Sequence, residues 1–249
     1  MSADGLLLAL VFALCGAGAL AGFVVPGRRN PVLLAWVGSL AALLLLWISG
    51  NVLHSGAVFQ GELWTIYPLG TLRVSVDRLS ALFLFVAAVV VLASSIFSAS
   101  YLQRYLGHYS VKTFTAWYLL LFASIVLILI AADELLFLLA WELMSILSYL
   151  LVNFEHRRDE SSRAGYLMLA MGEAGFIAVA VVFLFLAVKA GSLDFSTFRA
   201  VGADLGPTAR WFVFLLTFFG FGVKAGLVPV NTWLPRAHPG TGPSGLTSM

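Results

Sequence analysis

Charge is what this chain has least of. Lys, Arg, Asp and Glu together make up 10% of its 249 residues while apolar residues make up 61%, against about 25% charged in a soluble globular protein. Too few polar side chains remain to clothe a water-facing surface, so the chain reads as an all-α integral membrane protein lying in the lipid bilayer. The formal net charge is only +2, and the Lys and Arg are scattered between apolar stretches instead of gathered in a stripe. A nucleic-acid partner is therefore excluded. Cysteine is nearly absent. The single one, Cys15, sits among Ala, Leu and Gly and behaves as a small hydrophobe, which rules out a disulfide framework, a Cys-x-x-Cys pair and a haem attachment motif. The metal-binding HExxH, the phosphate loop GxxxxGK[ST] and the nucleophile elbow GxSxG are missing as well. No cofactor or metal is expected in this chain, and redox chemistry is expected to belong to partner subunits.

What the chain has in quantity is long apolar runs. A helix needs about 20 apolar residues to cross a bilayer, and seven stretches meet that need: 5–25, 31–48, 79–98, 114–132, 135–154, 164–188 and 211–229. The start, MSAD, has no basic residue and the run after it is too long for a cleaved signal, so the first stretch is a span. Most connections are short. In 50–78, the alternation of LWTIYPLGTLRVSV about a Pro-Leu-Gly turn predicts a small external hairpin, and GSLDFSTFRA predicts a short amphipathic interfacial helix. With the N-terminus outside, eight Lys and Arg fall in inner loops and five in outer ones; that bias predicts an N-out, multi-pass protein of the cell inner membrane. Gly18 and Gly22, with Gly16 nearby, predict close helix packing in the first span. After the seventh span, LVPVNTWLPRAHPGTGPSGLTSM is dense in Pro and Gly. The expectation is a chain that stops before an eighth helix, as a fragment of a longer protein or as a split subunit completed by a second polypeptide.

Two of the rare charges lie deep inside apolar runs: Glu142 in LLFLLAWELMSILSYLLV and Lys224 in WFVFLLTFFGFGVKAGLVP. A charge near the bilayer centre costs roughly 2.5–3.5 kcal/mol even on the lenient insertion scale, and intramembrane ionisable residues mark ion paths. A carboxylate moving towards or away from a buried amine changes how tightly that amine holds its proton. At about 4 Å and an effective dielectric of about 20 such a pair is worth up to roughly 4 kcal/mol, against about 2.3 kcal/mol to move one charge across 100 mV. Lys224 is thus the expected proton carrier and Glu142 its electrostatic partner, with a purely structural ion pair as the competing account. Glu173 and His238 are possible relays, weighed against helix packing for the first and an interfacial position for the second. Asp133 and Glu134 are expected in a solvated outer turn, and Asp77 at a helix N-terminus complementing the dipole.

Three stretches carry a resemblance: VDRLSALFLF, LLFLLAWELMSILSYLLV and GFGVKAGLVPVNTWLPRAHPGTGPSGLTSM. Together they resemble the proton-translocating antiporter-like subunits of respiratory complex I, of the formate hydrogenlyase and hydrogenase-4 type complexes, and of the Mrp cation/proton antiporters. AGYLMLAMGEAGF and WLPRAHPGTGPSG look most like the large subunit of the hydrogenase-linked group. The resemblance implies inverted five-helix repeats, a seventh helix broken near its lysine, and intramembrane glutamate and lysine at Glu142 and Lys224. Gly220, Gly222, Gly226 and Pro229 suit such a break. The chain departs from the family where a Pro-Leu-His run reads Pro229, Val230, Asn231. Residues 1–73 are then two helices plus the hairpin, and 74–249 the first repeat region. The resemblance further implies a non-catalytic subunit of an oxidoreductase complex, with other membrane subunits and a soluble iron-sulfur or hydrogenase-like redox arm as partners. The alternatives are a non-pumping scaffold anchoring a soluble redox enzyme and an Mrp-type sodium/proton antiporter subunit.

Overall fold

The computed structural model describes residues 3–67, 70–155, 159–229 and 231. Its helices are α1 (Ala3–Val24), α2 (Asn30–Ser55), α3 (Arg78–Tyr101), α4 (Val111–Ile130), α5 (Glu134–Val152), α6 (Asp159–Ala190), α7 (Phe195–Asp204) and α8 (Pro207–Ala225), with strands β1 (Phe59–Ile66) and β2 (Gly70–Val76) between α2 and α3. Seven helices among the described residues are long and apolar enough to cross a membrane; α7, with 10 residues, is the exception. The seven expected spans are thus all present, and so are the hairpin and the short helix. Helix α2 outruns its apolar stretch and continues to Ser55, where Gly56 at φ 70° ends it in a left-handed cap, a conformation glycine adopts without steric cost. Asp77 caps α3, its carboxylate accepting the Ser80 N–H at 2.8 Å.

Packing divides the described residues into two compact units: one holds those up to Gly61 and Ser75–Ile130, the other Glu62–Val74 and those from Ala131 to 231. This division follows contacts, and it falls elsewhere than the 73/74 partition drawn on the sequence.

In the first unit α2 packs against α3, and α1 against α2 and α4. A Cβ on Gly18 would lie 2.7 Å from Val37 and 2.8 Å from Leu119, whereas one on Gly16 would meet nothing within 4 Å. Gly18 is therefore the residue that lets these helices close up, and Gly16 is not. Cys15 is fully buried, as a small apolar side chain would be. The buried polar groups here are hydroxyls and one amide. Ser49 donates to the Leu45 carbonyl at 2.8 Å, Ser98 to that of Ser94 at 2.7 Å, and the Tyr118 hydroxyl meets those of Ser94 and Ser95.

In the second unit α6 packs against α5, α7 and α8. Phe183, Phe195 and Phe198 meet edge-on or tilted around buried Val182 and Leu186. The start of α5 corrects one expectation. Asp133 and Glu134 are not in a solvated turn; they are 1% and 5% exposed. The reason is that residues 131–134 are backbone-paired on two sides, the Ala132 N–H donating to the Arg73 carbonyl at 2.9 Å and the Glu134 N–H to that of Leu193 at 2.9 Å. Asp133 then serves two donors, the Leu136 N–H that it caps at 2.8 Å and the Arg73 N–H at 2.6 Å. The Arg73 guanidinium reaches Asp194 at 2.6 Å and Glu62 at 3.2 Å.

Candidate functional site

The intramembrane charges of the second unit come from three helices: Glu142 from α5, Glu173 from α6 and Lys224 from α8. On α5, Trp141, Glu142 and Ser145 share one face, because residues three and four apart are neighbours on a helix. Trp141 and Ser145 are buried, at 4% and 5% exposure. Between α6 and α8 the backbones nearly touch: a Cβ on Gly220 would lie 2.7 Å from the Gly175 carbonyl oxygen. Gly175 is two residues beyond Glu173 and Gly220 one turn before Lys224, so this glycine contact draws the two ionisable side chains to the same level.

Helix α8 stops one residue after Lys224. Gly226 adopts φ 70°, its N–H donating to the Val223 carbonyl at 3.2 Å while the Leu227 N–H reaches back to Gly222 at 2.9 Å. That is the Schellman pattern of paired hydrogen bonds across a glycine cap. The expected break near the lysine is thus a helix end, made by glycine where any side chain would be strained.

Lys224 is half-buried and its ammonium donates to Ser145 Oγ at 3.2 Å. It also lies 5.7 Å from the centre of the Trp141 ring, within cation–π range. Glu142 and Glu173 both act on it electrostatically, and on each other. Yet among the described residues the ion pairs within 4.0 Å are those of Arg73 with Glu62 and Asp194; Lys224 stands off from Glu142 and rests on the serine. Buried Glu142 Oε2, Glu173 Oε1 and Trp141 Nε1 have no hydrogen-bond partner. Leaving such atoms unpaired costs on the order of 1–3 kcal/mol each; Asn30 Oδ1, Thr115 Oγ1 and Glu134 Oε2, outside this cluster, are unpaired as well.

Of the residues singled out on the sequence, Glu142, Glu173 and Lys224 come together, and His238 lies outside the described residues. The sequence reading missed Ser145 and Trp141. The signal available was their helical spacing from Glu142, one residue before it and three after it. Among the described residues no group of three or more His, Cys, Asp or Glu is placed to hold a metal.

Residues 131–245 match the family described as "NADH:quinone oxidoreductase/Mrp antiporter, TM". Hydrogenase-4 component B of Escherichia coli (strain K12) is 34% identical over 189 residues, which cover 75% of this chain and 27% of that protein. NADH-quinone oxidoreductase subunit N of Desulforudis audaxviator is 25% identical over 207 residues, covering 80% of this chain and 40% of that one. A solved structure of the membrane-bound sulfane sulfur reductase, an archaeal respiratory membrane complex, superposes with a TM-score of 0.75 over 92% of this chain and 35% of the matched chain, at 22% identity. The fold is therefore shared with that structure. The present chain spans about a quarter of the length of the hydrogenase-4 component, 27%.

Proposed function

Because this chain belongs to the antiporter-like membrane subunits of the complex I, Mrp and hydrogenase type, we propose that it translocates protons within a redox-driven respiratory or hydrogenase complex. One observation carries the reading: a lysine at a glycine-capped helix end, inside a membrane-spanning segment, shares its surroundings with two carboxyl groups from two other helices. In this reading Lys224 carries the proton, Glu142 sets how tightly Lys224 holds it, and Glu173 passes it on. The standing-off of the ammonium from Glu142 supports an exchange of partners over a locked ion pair, since a locked pair would close the distance to gain its Coulomb energy.

The chain is proposed to sit N-out in the inner membrane, beside other membrane subunits and a soluble iron-sulfur or hydrogenase-like arm that supplies the driving force. The redox centres belong to that arm. Relatives named as components of a hydrogenase and of an NADH-quinone oxidoreductase support the proposed partners; the N-out orientation rests on the Lys and Arg bias of the loops.

The test is ion translocation by the assembled complex in proteoliposomes carrying Lys224→Ala. A proton carrier removed from its path is expected to cost on the order of a hundredfold, and Lys224→Arg, which holds its proton permanently, is expected to fail as well. Unimpaired pumping by Lys224→Ala would sink the proposal and leave a membrane scaffold for a soluble enzyme. Translocation that stops on removal of sodium, with protons still supplied, would instead identify the sodium/proton antiporter reading.

A further inference from the structure

Ser145 has an unusual occupation for a hydroxyl in a membrane-spanning helix. The common one is to donate to the carbonyl a turn earlier on the same helix, and its neighbour Ser148 does so, reaching the Met144 carbonyl at 2.7 Å. Ser145 instead receives the ammonium of Lys224 from α8, at 3.2 Å. Glu142 lies three residues before Ser145, so on this helix face the Cβ atoms of the two acceptors are about 5–6 Å apart. Lys224, whose side chain has four rotatable bonds, is held by the serine while Glu142 acts on it electrostatically from the same helix face. Trp141 completes the resting place with its ring 5.7 Å from the ammonium.

We propose that Ser145 is a positioning residue: it is the acceptor on which Lys224 rests when parted from Glu142, so that the carrier exchanges between serine and carboxylate along one face of α5. The inference rests on Lys224 being the proton carrier. It adds the physical reason the two can separate at all. An ammonium leaving Glu142 inside an apolar bundle gives up a direct ion pair, and with Glu173 still acting on it the Ser145 hydroxyl and the Trp141 ring face keep the separated state populated. Without the hydroxyl that state loses a hydrogen bond to a charged group, which corresponds to about a tenfold drop in its population.

Thr and Val have nearly the same shape and differ in the hydroxyl, so they separate the role of that group from packing. In proteoliposomes holding the assembled complex, Ser145→Val is expected to slow ion translocation about tenfold while Ser145→Thr stays within about twofold of the unmodified complex. Should Ser145→Val fail to assemble, Ser145→Ala against Ser145→Thr makes the same comparison, with the same expected loss in Ala. Equal slowing of the hydroxyl-bearing and hydroxyl-free variants overturns the proposal, because shape is then the cause. So does a hydroxyl-free variant that pumps normally while Lys224→Ala does not. Normal pumping by Lys224→Ala is a different result, since it removes the carrier reading itself.

Discussion

The two compact units bury polar groups of different kinds. Where α1 to α4 pack, the buried polar side chains are Asn30, Ser49, Ser94, Ser95, Ser98, Thr115 and Ser124, all neutral; where α5 to α8 pack they include the carboxyls of Asp133, Glu134 and Glu155, beside Glu142, Glu173 and Lys224. A hydroxyl carries its own donor and turns inward to a carbonyl of its own helix, as Ser49 and Ser124 do. A carboxylate only accepts, and the carbonyls of a helix only accept too. A buried acid inside a helix must therefore find a donor on another element or go without, while one at a helix start can also accept from the free N–H groups there. Asp133 finds two, and Glu142 and Glu173 each keep one oxygen unpaired. In the first unit Ser49, Ser98 and Ser124 bond within their own helices and Tyr118 bridges neutral hydroxyls of a neighbouring helix; in the second the buried charges meet partners from distant parts of the chain, and those contacts are where an ion path can be built.

The comparison is broken most severely at Lys224. Its replacement by Ala is expected to reduce translocation on the order of a hundredfold, whereas no substitution among the hydroxyls of the first unit should approach that. Next is Asp133. Asp133→Ala loses a helix cap worth about 1 kcal/mol and strands the Arg73 N–H at a further cost of about 1–3 kcal/mol, so thermal unfolding in detergent should occur well below that of the unmodified chain. Asp133→Asn keeps one acceptor and should recover part of the loss; equal unfolding of all three forms would show that the buried node is not a source of stability.

Gly220→Ala should cost about 1–3 kcal/mol by overpacking, since its Cβ would stand 2.7 Å from the Gly175 carbonyl oxygen and backbone cannot rotate aside. Gly16→Ala in α1 has open space and serves as the neutral reference in the same unfolding assay. The smallest effect is expected at Tyr118. Tyr118→Phe removes the contact with the Ser94 and Ser95 hydroxyls, but Ser94 keeps the Val91 carbonyl at 3.2 Å, so the loss should be about 1 kcal/mol with translocation unchanged. A pumping defect in Tyr118→Phe would erase the distinction between a neutral unit and a charged one.

The spans were legible because hydrophobic length is a one-dimensional property, and the hairpin because residues 63–76 alternate about a turn. Glu142 and Lys224 stood out for the same reason: a charge inside an apolar run is visible without any knowledge of its neighbours. Asp133 was misjudged because its position between two apolar runs looks solvated, and nothing local reveals that Arg73, sixty residues earlier, supplies a donor. Ser145 was passed over because a serine in a membrane helix ordinarily satisfies itself.

By itself, then, the sequence determined that this is a helical membrane protein with seven spans, a hairpin and a further short helix, and it marked an acid and a base lying inside apolar runs. Only the tertiary structure decided that the base rests on a serine near two acids, and that an aspartate between spans is a buried joint. Burial and hydrogen bonding are properties of pairs of residues, and the partners here are separated by 60 and 79 positions, distances over which pattern and propensity carry no information about contact.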